Sequence, residues 1–182
     1  MNKTLQEIFY RKNTLDVAKQ LLGCFLVRKI GKKIIRGIIT ETEAYIGEDD
    51  LACHASRGRT KRTEIMYGEA GRAYVYMIYG MYHCLNVVTE KKDFPAAVLI
   101  RAIKIEGMDY KKTNGPGKLC RFLKIDRKLN NLDMAEGKSL WIERGDKIDS
   151  RLIKKSKRIG IDYARHCKHY LWRFILVYNG GK

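Results

Sequence analysis

The sequence predicts an α+β fold: one curved, mostly antiparallel β-sheet flanked by a few helices. Two observations carry this expectation. Runs rich in Val, Ile, Thr and Tyr recur along the chain with tight glycine turns between them, and only two segments show helix boundary signals. A third observation sets the scale. At 182 residues, 45% hydrophobic and 31% charged, the chain suits a single domain (1–182) with a buried core. Its 2 prolines and 16 glycines leave no room for a Pro/Gly-rich linker, and no internal repeat or domain boundary is visible.

In chain order, residues 14–22 read as a short amphipathic helix, with Asn13 as cap, Asp16 in the first turn and Gly23 at the exit. Residues 24–30 and 33–45 form a hairpin about Gly31-Lys32. Residues 46–67 are polar and irregular, and a connection of that length is usually a functional loop. Two further strands, 72–79 and 82–89, meet at Gly80-Met81, and 96–105 is another. Asn114-Gly115-Pro116 opens a helix running to about Ile125, with proline in the first turn, where its missing N–H costs nothing. Short closing strands are expected at 140–143, 157–161 and 173–178.

Lys+Arg total 37 against 20 Asp+Glu, a formal net charge of +17. Such an excess attracts a polyanion, nucleic acid being the commonest, although a lysine-rich surface alone has the same composition. The longest apolar stretch, 21–27, is far too short to span a bilayer, and no signal-peptide pattern precedes it, so no membrane is expected. Five cysteines (Cys24, Cys53, Cys84, Cys120, Cys167) stand wide apart with no CxxC, which favours reduced thiols in a cytoplasm.

Glu41, Glu43 and Tyr45 share one face of a strand that runs into the long loop. A carboxylate at that place suits a general base. By spacing alone the commoner arrangement is a pair of solvated acids bonded to nearby lysines. Glu41, Glu43 and Asp50, helped by Glu48 and Asp49, are also the acids that a metal-dependent nuclease would use. Tyr74, Tyr76, Tyr79 and Tyr82 crowd a hairpin tip. Tyr74 and Tyr76 suit a half-buried sheet, whereas Tyr79 and Met81 at the turn suit an apolar wedge pushed into a base stack. His54 beside Cys53, and His166-Cys167 with His169, lack partners at zinc spacing, so no metal is expected. Gly115-Pro116-Gly117-Lys118 lacks the spacer and the hydroxyl of a phosphate loop.

Taken together, Glu41-Thr42-Glu43-Ala44-Tyr45, His54 eleven positions after Glu43, Tyr74-Val75-Tyr76-Met77-Ile78-Tyr79-Gly80-Met81-Tyr82, Asn86, Val98-Leu99-Ile100-Arg101-Ala102 and Asn114-Gly115-Pro116-Gly117-Lys118-Leu119 occur in a fixed order. From about Thr14 to Phe174 the chain resembles the 3-methyladenine (alkyladenine) DNA glycosylase family, monofunctional purine glycosylases of base excision repair. The resemblance implies a fold like the C-terminal domain of methionyl-tRNA formyltransferase. It implies that Glu43 activates a water, positioned with Arg101, that cleaves the glycosidic bond of a purine flipped from duplex DNA. Tyr45 would stack on one face of that base and His54 and Tyr76 on the other, with Asn86 at its edge. Tyr79 would be the intercalating wedge, with Met81 beside it. The substrates implied are 3-methyladenine foremost, then 7-methylguanine, hypoxanthine and etheno-adenine. No cofactor, no strand-cleaving lyase step, a monomer and a cytoplasmic, nucleoid-associated location are also expected. The chain departs from the family pattern in a segment between Arg101 and Asn114 that is shorter than in many relatives, and at Thr63 and Tyr67. A non-enzymatic reading competes: a basic protein that stacks single-stranded nucleic acid on Tyr74, Tyr76 and Tyr79.

Overall fold

The alternating run that ends in Glu41-Thr42-Glu43 becomes the strand around which the others assemble. The computed structural model describes residues 3–177. In it β1 (Phe25–Ile30) turns at Gly31, whose φ of +58° suits glycine, into the fourteen-residue β2 (Lys33–Ile46). Strands β3 (Ala73–Ile78), β4 (Tyr82–Val88), β5 (Ala96–Lys104) and β6 (Leu140–Glu143) extend the sheet in the order β3-β4-β5-β2-β1-β6. Two short strands, β7 (Ile153–Ser156) and β8 (Arg173–Leu176), complete an eight-stranded sheet. Every strand pairing among the described residues is antiparallel.

Strand β2 changes partners along its length. Its first half pairs with β1 as far as Ile38, and Glu41–Glu43 pair with β8 instead. On its other side the register with β5 slips twice: Glu41 faces Ala102 while Thr42 faces Ile100. Arg101 is thus the extra residue of a bulge on β5, and bulges re-aim side chains.

One face of the sheet carries the helices. A single turn, α1 (Glu7–Tyr10), precedes α2 (Thr14–Gln20), and α3 (Pro116–Phe122) packs against β4 and β5. A seven-residue helix is too short to persist alone in water. Packing holds α2: Val17, Ala18 and Leu21 are fully buried, and burying a large aliphatic side chain is worth about 1.5–3 kcal/mol. Asn13 caps it as expected, its side chain accepting from the Leu15 N–H. Between helices and sheet lies the main core, including Leu26, Ile39, Ala44, Val87 and Ile100. Thr42 Oγ1 bonds the Ala18 carbonyl at 2.8 Å, so Thr42 and Ala44 face the helices and their neighbours Glu43 and Tyr45 face away.

The opposite face is covered by residues 47–72. Their two 3-10 turns, His54–Arg57 and Glu64–Tyr67, pack on a second apolar cluster built from Cys53, Met66, Tyr74, Val88 and Ala97.

Three expectations need correction. Residues 157–161 form no strand; the strand lies just before them, at Ile153–Ser156, and the expected run is instead a loop whose polar groups bond Ala44, Asp50 and Glu43. The helix that opens at Pro116 ends at Phe122, short of Ile125, because Lys124 turns left-handed at φ +50°. The last strand stops at Leu176, and Tyr178, included in the expectation, lies outside the described residues.

Candidate active site

Glu43 has no exposed surface, and its carboxylate is held from three sides. Oε2 accepts from the Tyr45 hydroxyl at 2.8 Å and from Arg101 Nη1 at 3.4 Å, and Oε1 accepts from the backbone N–H of Ile159 at 2.9 Å. Glu41 accepts from Arg101 Nε at 2.9 Å and from Arg173 Nη1 at 3.2 Å. The bulge at Arg101 brings this guanidinium to both carboxylates. Burial raises the Glu43 pKa above the usual carboxylate range, against the opposing pull of Arg101, Ile159 and Tyr45. The acids are therefore not a solvated pair bonded to lysines. They are buried or half-buried, and their partners are arginines.

Above them opens a cavity of about 520 Å³ lined by Tyr45, His54, Tyr76, Arg101 and Ile159, with Tyr79 at its lip. Glu43 lies just behind this surface, covered by the groups that bond to it. A recess of about 20 Å³ continues between Tyr45, His54, Tyr74, Tyr76 and the buried Asn86, whose Nδ2 donates to the Tyr74 carbonyl at 3.1 Å.

His54 sits 4.5 Å from Tyr76, ring centroid to centroid, at 75°. Arg62 Nη2 lies 3.3 Å from His54 Nε2, which must accept, so the other ring nitrogen carries the proton and donates to the Tyr74 hydroxyl at 2.8 Å. Burial, then the Arg62 and Arg57 charges, pull the His54 pKa down to about 4. The ring is neutral at physiological pH.

The structure thus brings together Glu43, Arg101, Tyr45, His54, Tyr76 and Asn86. It leaves Tyr79 and Met81 outside, 83% and 63% exposed at the tip of the β3–β4 hairpin. Tyr79 adopts φ +51°, a left-handed conformation that costs a non-glycine residue about 1–2 kcal/mol. The carboxylates of a metal-dependent nuclease do not converge: Glu41 and Glu43 face Arg101, and Asp50 is bound by Arg158. Among the described residues no group of three or more His, Cys, Asp or Glu is placed to hold a metal ion. All five cysteines are free and buried.

Sequence reasoning missed the residues behind the wall. Arg158 pairs with Asp50 through both terminal nitrogens, Nη2 to Oδ1 at 2.7 Å and Nη1 to Oδ2 at 2.5 Å, and Nη1 also donates to the Ala44 carbonyl, while its buried Nε has no hydrogen-bond partner. Its guanidinium lies between the rings of Tyr45 and Trp172, 4.7 and 5.0 Å from their centroids. The next residue, Ile159, gives its N–H to Glu43. Nothing local marks Arg158, since its partner is 108 residues away.

The model of the methylpurine-DNA glycosylase family matches residues 8–180 of the chain. The chain belongs to that family. Proteins named "Putative 3-methyladenine DNA glycosylase" are similar along nearly their whole length. That of Legionella pneumophila (strain Corby) is 46% identical over 177 residues, covering 97% of this chain and 96% of the relative. Those of Ehrlichia ruminantium (strain Welgevonden) and Clostridium perfringens (strain 13 / Type A) are 48% and 44% identical, covering 97% and 94% of this chain and 90% and 94% of theirs. The protein is therefore a DNA glycosylase. The excess of positive charge on this glycosylase suits a DNA substrate. No helix of the described residues is long and apolar enough to cross a membrane.

Proposed function

We propose that the protein flips 3-methyladenine and related alkylated purines out of duplex DNA and hydrolyses the glycosidic bond with a water activated by Glu43. One observation carries this reading: a fully buried carboxylate, gripped by Arg101 and a backbone N–H, directly behind an aromatic cavity.

An alkylated purine carries positive charge, so its glycosidic bond is already weakened and its leaving group needs little acid help. Electron-rich faces of Tyr45 and Tyr76 favour such a cation by about 0.5–2 kcal/mol per good contact. His54, neutral down to about pH 4, adds no opposing charge. Ionised Glu43 takes the proton of the attacking water and stabilises the cationic sugar, while Arg101 and the Ile159 N–H fix the carboxylate's direction. The Tyr45 hydroxyl bonds Oε2 from the cavity side, so a bound base has to draw it aside as water enters. One carboxylate working from the far face gives direct displacement, as in inverting glycosidases. Tyr79, exposed at the lip, fills the space the extruded nucleotide leaves. Asn86, in the recess, meets the purine edge and disfavours normal guanine.

The test is base release in EDTA from duplexes carrying one 3-methyladenine, 7-methylguanine, hypoxanthine or etheno-adenine. Free 3-methyladenine from a duplex left unbroken until alkali is added supports the reading. No release of any of the four overturns it, and release that EDTA abolishes points to a metal.

A further inference from the structure

Behind Tyr45 a charge is buried that the glycosidic step does not use. Arg158 is 5% exposed and its partner Asp50 2%. An ion pair taken out of water seldom stabilises a fold more than an apolar pair of the same size would. Here the cost is higher still, because the buried Arg158 Nε has no hydrogen-bond partner. As core filling the pair is a poor choice, and its charge needs another purpose.

That charge lies against the stacking wall. The guanidinium stands over the Tyr45 ring, 4.7 Å from its centroid. Tyr45 lines both the cavity and the recess, whereas Arg158 lines neither. One face of the ring is thus given to the guanidinium, and the other is left to the occupant of the cavity. Asp50 does not cancel the charge at the ring. Burial raises the Tyr45 pKa well above the usual phenol range, Glu43 adds to the rise, and the positive charge of Arg158 works against both. Tyr76, on the facing wall, also has a guanidinium over its ring, that of Arg62 at 5.2 Å. Arg62 is exposed and lines the cavity itself, so solvent and salt screen it, which they cannot do for Arg158.

The geometry points to Arg158 as the residue that sets how far this glycosylase favours a cationic base over a neutral one. This rests on the reading of Tyr45 as a stacking wall. A ring already drawn toward a cation on one face offers less to a second cation on the other, and the two like charges repel across it. A neutral base loses nothing by this, because dispersion and apolar burial do not depend on charge. The buried pair therefore narrows the gap between the two lesion classes by weakening the hold on the cationic one. Arg158 acts through Tyr45 and does not meet the base, so it determines specificity and is not a catalytic residue.

The test compares duplex binding in the Glu43→Gln background, before any base is released. Discrimination is the affinity for a duplex with one lesion divided by that for the same duplex undamaged. The lesions are 7-methylguanine, a cation, and etheno-adenine, which is neutral. R158M/D50N removes both charges and leaves none unpaired. In it, discrimination for 7-methylguanine is expected to rise about twofold to tenfold, while that for etheno-adenine stays as it was. R158Q/D50N keeps polar groups at both places and is expected to behave alike, so the packing of one replacement cannot account for the shift. R158K keeps the charge and is expected to keep the discrimination of the parent. Equal losses for both lesions in the double variants overturn the proposal, since Arg158 would then only hold Tyr45 in place. So does no change for either lesion, or the same rise in R158K. Loss of fold in both double variants, seen by circular dichroism, would make the pair a structural requirement and overturn it as well. Base release by Glu43→Gln itself would sink the proposed chemistry, and the shift in discrimination would still stand or fall on its own.

Discussion

Glu43 at the cavity floor and Tyr79 at its lip are separated by a single cavity yet differ in every physical respect. Glu43 is wholly buried with three donors around its carboxylate, whereas Tyr79 is 83% exposed in a left-handed turn. The floor is over-determined: β2, the β5 bulge and the 157–161 loop all fix one carboxylate. The tip is left free. Chemistry gains from groups that need no reorganisation in the transition state, whereas a wedge has to enter a base stack that is absent until DNA binds. One hairpin carries a residue of each region: Tyr76 lines the cavity from β3, and Tyr79 turns out three residues later.

The sharpest way to break the comparison is Glu43→Gln. Base release is expected to fall by about 10²–10⁴ with duplex affinity retained, measured by single-turnover kinetics and binding. Because burial raises the Glu43 pKa, its ionised form costs stability at neutral pH. The variant should therefore melt at or above the wild type at pH 7, and the gap should close as pH falls through the folded pKa to below 4.5, where glutamate is itself neutral.

Asp50→Asn tests whether the floor depends on its outer wall. It leaves Arg158 charged and unpaired in the interior, which costs about 3–5 kcal/mol in denaturant unfolding. An effect under 1 kcal/mol would mean that the pair does not hold the 157–161 loop. Tyr79→Ala probes the free end. Activity on a lesion in duplex DNA is expected to drop about tenfold to a hundredfold, in line with a few kcal/mol per unstacked step, and activity on the same lesion in a single strand should change little. Equal losses on both substrates would remove the wedge.

The smallest effect concerns His54. Its folded pKa of about 4 lies below the ordinary 6.5, so the unfolded chain binds the proton first as pH falls. Its contribution to stability is complete above about 6.5 and drains away toward about 4, a slope that His54→Gln should flatten in pH-dependent melts.

Much of this was legible in the chain because it is local. Period-two alternation fixes which residues share a face of β2, so Glu41, Glu43 and Tyr45 could be grouped before any fold was known. Asn13, Pro116 and Gly31 mark their turns by their own backbone chemistry. The tyrosines about Gly80 announced a tip. What stayed hidden depends on residues far apart in sequence. Neither alternation nor turn chemistry encodes that β5 carries a bulge at Arg101, that a loop over a hundred residues away gives its N–H to Glu43, or that Asp50 meets Arg158 behind Tyr45. A bulge, a buried ion pair and a loop bonded to a distant strand are decided by how strands meet and what must be neutralised once water is excluded. Only the packed chain settles that.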